Sequence, residues 1–186
     1  MIKEIEKLEG HYVVCGSGKT GAHVIEELLL SGGNVVVLEK EEALCIDLRR
    51  RIPRGSYILK GDGTHDEDLL LAGIARASGL VAAMDSDVEN LYCTISARQL
   101  NASLRIITIS DDPKAEAKLR HAGADSVVYN FVISGQRIAS ELVSPQVVSF
   151  FDLILRDKER VMRIEDIEVS EGSLIAGNTL SKAELR

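Results

Sequence analysis

Short apolar runs alternate with amphipathic stretches from residue 11 onward. His11-Tyr12-Val13-Val14-Cys15 is a short apolar run ending in glycine, the pattern of a buried strand. Thr20 to Leu30 carries Val24, Ile25, Leu28 and Leu29 at helical spacing, and Ser31-Gly32-Gly33-Asn34 stops it with residues that tolerate positive φ. Val35 to Leu38 reads as a second buried strand. Glu41 to Arg51 reads as a helix with Leu44, Leu48 and Ile52 on one face, and Ser56 to Lys60 as a third strand. The alternation continues with a helix at Asp66–Ala72, a strand at Leu80–Met84 and a helix at Val88–Leu100. A strand at Leu104–Ile109, a helix at Pro113–Ala122 and a strand at Val127–Tyr129 complete it. Apolar strands separated by helices predict a Rossmann-like, doubly wound α/β domain with a parallel six-stranded sheet.

Phe131 to Arg156 is a long and unusually apolar helical stretch. Pro145 breaks it, because proline lacks the N–H donor and clashes with the preceding turn. Its apolar face packs either on its own sheet or on another chain. Val161 to Val169 reads as a strand, Glu171-Gly172 as a turn, and a short helix starts near Thr179. This tail is too short for a core of its own and reads as the start of a second domain.

Composition narrows the function classes. Among 186 residues, 22 Lys and Arg face 29 Asp and Glu, a net charge of -7 that disfavours nucleic acid and anionic membrane surfaces. No apolar run has the length of a spanning helix, and the charged start Met1 to Lys7 is not a secretory signal. Cys15, Cys45 and Cys93 form no CxxC pair and have no histidine at ligand spacing, so reduced, buried thiols are expected and a metal site is not. His11, His23, His65 and His121 are expected at the surface or at helix ends.

The chemistry concentrates in Gly16-Ser17-Gly18-Lys19-Thr20-Gly21, a GxGxxG run between strand and helix. Gly16 permits the tight turn, Gly18 lets backbone approach a pyrophosphate, and Gly21 lets helix and strand pack closely. The helix N-terminus then offers unpaired N–H groups to the anion. Glu39, following the second strand, is placed to accept ribose hydroxyls and to repel a 2′-phosphate, which favours NAD(H) or an unphosphorylated adenosine ribose; the alternative is a solvated acid beside Glu41 and Glu42. Lys19 either reaches phosphate or is solvated. Gly61-Asp62-Gly63-Thr64, expected beside the first strand, borders an adenine, with Asp62 on the base or capping the next helix. Thr64 with Glu67 reads as a capping box. Met84-Asp85-Ser86-Asp87 lies where strand order reverses; Asp85 or Asp87 caps the following helix, and Asn90 reaches the ligand. No catalytic constellation stands out, so the sequence points to a nucleotide sensor and not to an enzyme.

These stretches, with Leu104-Arg105-Ile106-Ile107 and Leu119-Arg120-His121-Ala122-Gly123-Ala124-Asp125, resemble the RCK domain, also called KTN or TrkA-N, which regulates potassium conductance. Ile133-Ser134-Gly135 through Phe151-Asp152 resembles the crossover helices of channel-attached members, and Glu171 to Leu180 the opening of their C-terminal subdomain. The resemblance implies residues 1–9 as a linker from a pore, 10–130 as the nucleotide-binding domain, 131–158 as crossover and dimerisation helices, and 159–186 as the truncated C-terminal subdomain. It implies a cytosolic gating domain that pairs as a homodimer through the crossover helices and assembles into rings. That domain would bind NAD(H), ADP, ATP or AMP and move a potassium channel pore. The fragment itself would not contact the membrane.

By position, Gly16, Gly18, Gly21 and Lys19 would hold phosphates, Glu39 the ribose, and Asp62 with Gly63 the adenine side, with Asp85 and Asn90 lining the cleft and Ser17, Thr20 and Lys40 completing the cofactor-binding set. Lysine stands where most members have arginine, which replaces a bidentate grip with a point charge. The positions of the calcium-gated members' acids read Ala83, Ile109 and Asp111, too few carboxylates for that cation. A soluble subunit of a potassium transporter, or an NAD-dependent oxidoreductase fragment, are the alternatives.

Overall fold

In the computed structural model, which describes residues 1–52 and 56–149, side-chain alternation along the strands sorts the core onto two sides of one sheet. The strands are β1 (Tyr12–Cys15), β2 (Val35–Glu39), β3 (Ser56–Lys60), β4 (Gly79–Ala82), β5 (Arg105–Ile109) and β6 (Ser126–Val128). All pairings are parallel, in the order β3-β2-β1-β4-β5-β6, the doubly wound arrangement expected from the sequence. The helices are α1 (Ile2–Ile5), α2 (Lys19–Leu30), α3 (Glu42–Arg51), α4 (Asp66–Leu71), α5 (Asp87–Leu100), α6 (Glu116–His121) and α7 (Asn130–Val143).

Val14, Val35, Val37 and Ile58 pack with Ile25 of α2 and with Cys45 and Leu48 of α3. Their strand neighbours Val13, Cys15, Val36 and Leu38 point the other way, to Leu69 of α4 and to Cys93 and Ala97 of α5. A period of two along each strand thus feeds both layers, which is why these strands read as unbroken apolar runs. Truncating a filled position such as Leu38 or Leu80 to alanine is expected to cost about 2–5 kcal/mol.

Met1–Ser134 forms one compact unit and Gly135–Arg186 belongs to a second. Residues 145–149 are helical again after a break at Ser144, as Pro145 requires. Every residue of α7 is at least partly exposed, including Phe131, Ile138, Leu142 and Val143. The expected strand, turn and helix after residue 160, and Phe150 and Phe151, lie outside the described residues.

The start of the chain packs on the domain: Ile5 is fully buried, and Arg76 donates from Nε to Leu8 O (3.2 Å) and from Nη2 to Ile5 O (3.3 Å). His11 departs from its expected surface position: it is 1% exposed, with Nε2 2.9 Å from Ala72 O. The Ala72 carbonyl can only accept, so the proton sits on Nε2, and Nδ1 is buried without a partner.

Burial holds the His11 pKa below the usual imidazole value; the Ala72 hydrogen bond opposes that shift and the Arg76 charge adds to it. The folded state therefore prefers the neutral ring. This contribution to stability is complete above the ordinary histidine pKa and shrinks as pH falls through it towards the lower folded value. Urea unfolding at stepped pH should show that slope, and His11→Gln should remove its share of it. An unchanged pH profile in His11→Gln would show that the ring is accessible to solvent protons.

Candidate functional site

Where strand order reverses, the carboxyl ends of β1 and β4 diverge and leave a cleft. The glycine loop runs along it. Gly16 leaves β1 with φ of 92°, in the left-handed region that favours glycine, and a methyl there would meet Ala83 O at 2.5 Å. Gly21 packs on the same turn, where a methyl would fall inside the Gly16 carbonyl oxygen. Gly18 is the N-cap of α2 and supplies no capping side chain. The amides of the first turn, before Ala22 N closes on Gly18 O (2.9 Å), lack intrahelical acceptors and are free to face an anion. Beside them, Lys19 is exposed and Thr20 half-buried.

Glu39 is not a solvated acid. It is 5% exposed, and its Oε2 accepts from Ser17 N (2.8 Å) and Ser17 Oγ (2.6 Å) while Oε1 accepts from Glu41 N (2.8 Å). The carboxylate ties the phosphate loop to the end of β2. A carboxylate offers about four lone-pair positions, so after three donors there is room on Oε1 for a ribose hydroxyl.

β3 pairs with β2, and the turn after it reaches the end of β1, where the sequence placed it: a methyl on Gly63 would meet Cys15 Cβ at 2.7 Å. Asp62 Oδ1 accepts from Thr64 N (2.9 Å) and Thr64 Oγ1 (2.8 Å). That contact corrects the expected capping box: the Thr64 hydroxyl is engaged by Asp62, and the N-cap of α4 is His65, which makes no side-chain capping bond. Burial alone would raise the Asp62 carboxyl; the two Thr64 hydrogen bonds, with His65 and Lys40 nearby, outweigh it and hold the pKa below the usual range.

On the other wall, Ser86 and neither Asp85 nor Asp87 caps α5, accepting from Val88 N at 3.3 Å. Asp87 instead accepts from Ser110 Oγ (2.8 Å) and Asp111 N (3.2 Å). Asn90, expected to reach a ligand, is 1% exposed and braces the scaffold: Oδ1 accepts from Met84 N (2.9 Å), and Nδ2 donates to Met84 O (3.1 Å) and Ile109 O (3.0 Å).

The cleft has two parts. The loop, Glu39, Lys40, Asp62 and Gly63, Asp85 and Glu89 border one, a narrow part of about 30 Å³. The other lies past Gly18 towards Lys19, Thr20, Asp111, Asn130 and Phe131, with about 460 Å³. Sequence reasoning missed Glu89, which meets Lys40 across the first part at 2.6 Å, and Asn130, whose Nδ2 donates to Thr20 Oγ1 at 2.9 Å. Both contacts join residues far apart in the chain, and no spacing rule marks them. The Cys15 thiol beneath the loop is no nucleophile: its hydrogen bond with Cys93 and its burial push its pKa well up. Among the described residues no cluster of metal-ligating side chains forms, and no helix is long and apolar enough to cross a membrane.

Comparison with known proteins converges on the same stretch of chain. Potassium channel protein 1 of Methanocaldococcus jannaschii is 33% identical over 159 residues, 86% of this chain and 47% of that protein. Probable potassium channel protein 2 of the same organism is 28% identical over 190 residues, covering 100% of this chain and 55% of that one. The chain thus spans about half the length of these curated relatives. Among solved structures, the TrkA-N domain of inner membrane protein ybaL from Escherichia coli superposes with a TM-score of 0.67 at 26% identity, covering 74% of this chain and 98% of that one. The GsuK channel bound to NAD (TM-score 0.60, 24% identity, 66% and 22% covered) shares the fold, as does Shewanella denitrificans Kef CTD in AMP-bound form (0.64, 20%, 76% and 87%). The TrkA-N domain model matches residues 12–130, from β1 through the glycine loop and both walls of the cleft to the first residue of α7, and the chain belongs to that family.

Proposed function

We propose that this chain is the ligand-sensing part of a potassium-conducting system: it binds NAD(H) or an adenine nucleotide at the glycine loop and passes the change to a pore. The observation that carries this reading is the pairing of uncapped α2 amides with the Glu39 carboxylate, fixed to the same loop through Ser17. One subsite suits a phosphate and the other a ribose, and their spacing is set before any ligand arrives, which lowers the ordering cost of binding. The names of the relatives add potassium channels, and those of the structural neighbours add NAD and AMP.

The route outward begins at Thr20, in the first turn of α2, which accepts from Asn130 at the start of α7. A ligand that draws in the loop amides acts on Thr20, and through it on the helix whose apolar side chains are open to a second copy of the chain. A gating role requires that ligand bind the two arrangements of the paired domains with different affinity. The reading assigns binding and transmission, not catalysis, and places the domain on the cytosolic side of its pore.

Calorimetric titration of the purified chain with NADH, NAD+, AMP, ADP and ATP tests it. Saturable binding of at least one, lost in Gly18→Ala, is the expected result. Absence of binding by all five at millimolar concentration would overturn it.

A further inference from the structure

The nucleotide half of the cleft is lined by five carboxylates, those of Glu39, Glu41, Asp62, Asp85 and Glu89, against one cation, Lys40. That cation is engaged. Lys40 follows β2 on one wall, Glu89 lies in the first turn of α5 on the other, and Nζ meets Oε1 at 2.6 Å. Glu89 suits that turn because a carboxylate near a helix N-terminus is favoured by the helix dipole. Its charge raises the Lys40 pKa chiefly through that hydrogen bond, with Asp62 and Asp85 adding to the effect. Beyond the α2 amides and the exposed Lys19 beside them, an entering phosphate chain meets a mostly acidic wall whose one cation is already paired.

Resting on the nucleotide reading above, we propose that Glu89 is a specificity-determining residue: by holding Lys40 across the cleft it penalises ligands in proportion to their phosphate charge. The site is thereby biased towards the pyrophosphate diester of a dinucleotide, or a monophosphate, over a triphosphate. The bridge also spans the opening between the ribose acid and α5, so a bulky phosphate chain has to part it. The pair is partly exposed, at 49% and 29%, so the effect is a graded preference and not an absolute barrier.

Glu89→Gln keeps the shape and removes the charge. Titrations of wild type and Glu89→Gln with NADH, AMP, ADP and ATP, with EDTA present, read the ranking. ATP affinity is expected to rise about five- to tenfold, ADP less, and AMP and NADH by about twofold or less, with the differences shrinking at high salt. Glu89→Gln with Lys40→Met should lose most of the ATP gain. Equal gains for all four ligands, no gain, or a loss would overturn the proposal.

A ligand-free readout accompanies this: acetic anhydride labelling of Lys40, followed by peptide mass, should run several-fold faster in Glu89→Gln, with Lys19 as the internal control. An unchanged rate means that the bridge does not hold Lys40 in solution, and the proposal fails while nucleotide binding stands. A wild-type chain that binds none of the four nucleotides overturns the nucleotide reading and this inference with it.

Discussion

Gly18→Ala will leave the fold intact and remove ligand binding, whereas Gly21→Ala, three residues on, will damage the fold itself. Gly18 has φ of -57°, a value any residue adopts, so alanine adds no backbone strain. Its added methyl would stand 3.3 Å from Asp85 Oδ1, the end of an exposed side chain that can turn away. The expected change in unfolding free energy is within about 0.5 kcal/mol. That same methyl projects from the loop where backbone has to reach a pyrophosphate, so nucleotide affinity should fall by more than about tenfold. Gly21 differs in what surrounds it. A methyl there would penetrate the Gly16 carbonyl oxygen and lie 2.9 Å from its carbon, main-chain atoms with nowhere to move. Overpacking of this kind is expected to cost about 3 kcal/mol. Parallel denaturant curves and titrations check both. Loss of stability in Gly18→Ala, or undiminished stability in Gly21→Ala, would reverse the roles assigned to the two glycines.

That contrast also marks how far the sequence reaches. The run from Gly16 to Gly21 and the acid at Glu39 were legible because both rest on local chemistry: a strand that ends, a helix that begins, a carboxylate one strand along. The six strands were legible because residues such as Val13, Val36 and Leu80 leave no polar position to confuse the pattern. Errors arose where a side chain had two local partners of similar worth. Thr64 satisfied the spacing of a capping box, but Asp62, two residues back, offered both its hydroxyl and its amide an ionised acceptor, and a charge-assisted bond prevails. His11 was expected at the surface or at a helix end; the carbonyl of Ala72, far along the chain, makes its burial tolerable. The bracing contacts of Asn90 had no local signal, because only the sheet order brings Met84 and Ile109 within reach of one amide. Lys40 with Glu89, and Thr20 with Asn130, depend wholly on which loops end up facing each other.

Glu39 carries the second large effect, because one carboxylate serves both the loop and the proposed sugar. Glu39→Ala would leave the amides of Ser17 and Glu41 and the Ser17 hydroxyl without their acceptor. Water entering the open cleft offsets part of that loss, so the expected destabilisation is about 2 kcal/mol, and nucleotide affinity should fall by about a hundredfold as the loop loosens and the ribose acceptor disappears. Such a loss alone does not distinguish a brace from a ligand contact. Glu39→Gln does. It keeps the length and one acceptor oxygen, while its amide group turns donors towards donors on the other side, so a smaller loss of stability is expected. If the carboxylate stands at the ribose, its charge is also what rejects a 2′-phosphate, and removing it should raise affinity for NADPH relative to NADH by about tenfold. A brace that only steadies Ser17 would weaken the two dinucleotides equally. An unchanged NADPH-to-NADH ratio in Glu39→Gln would therefore move the sugar away from β2, and with it the orientation proposed for the whole ligand.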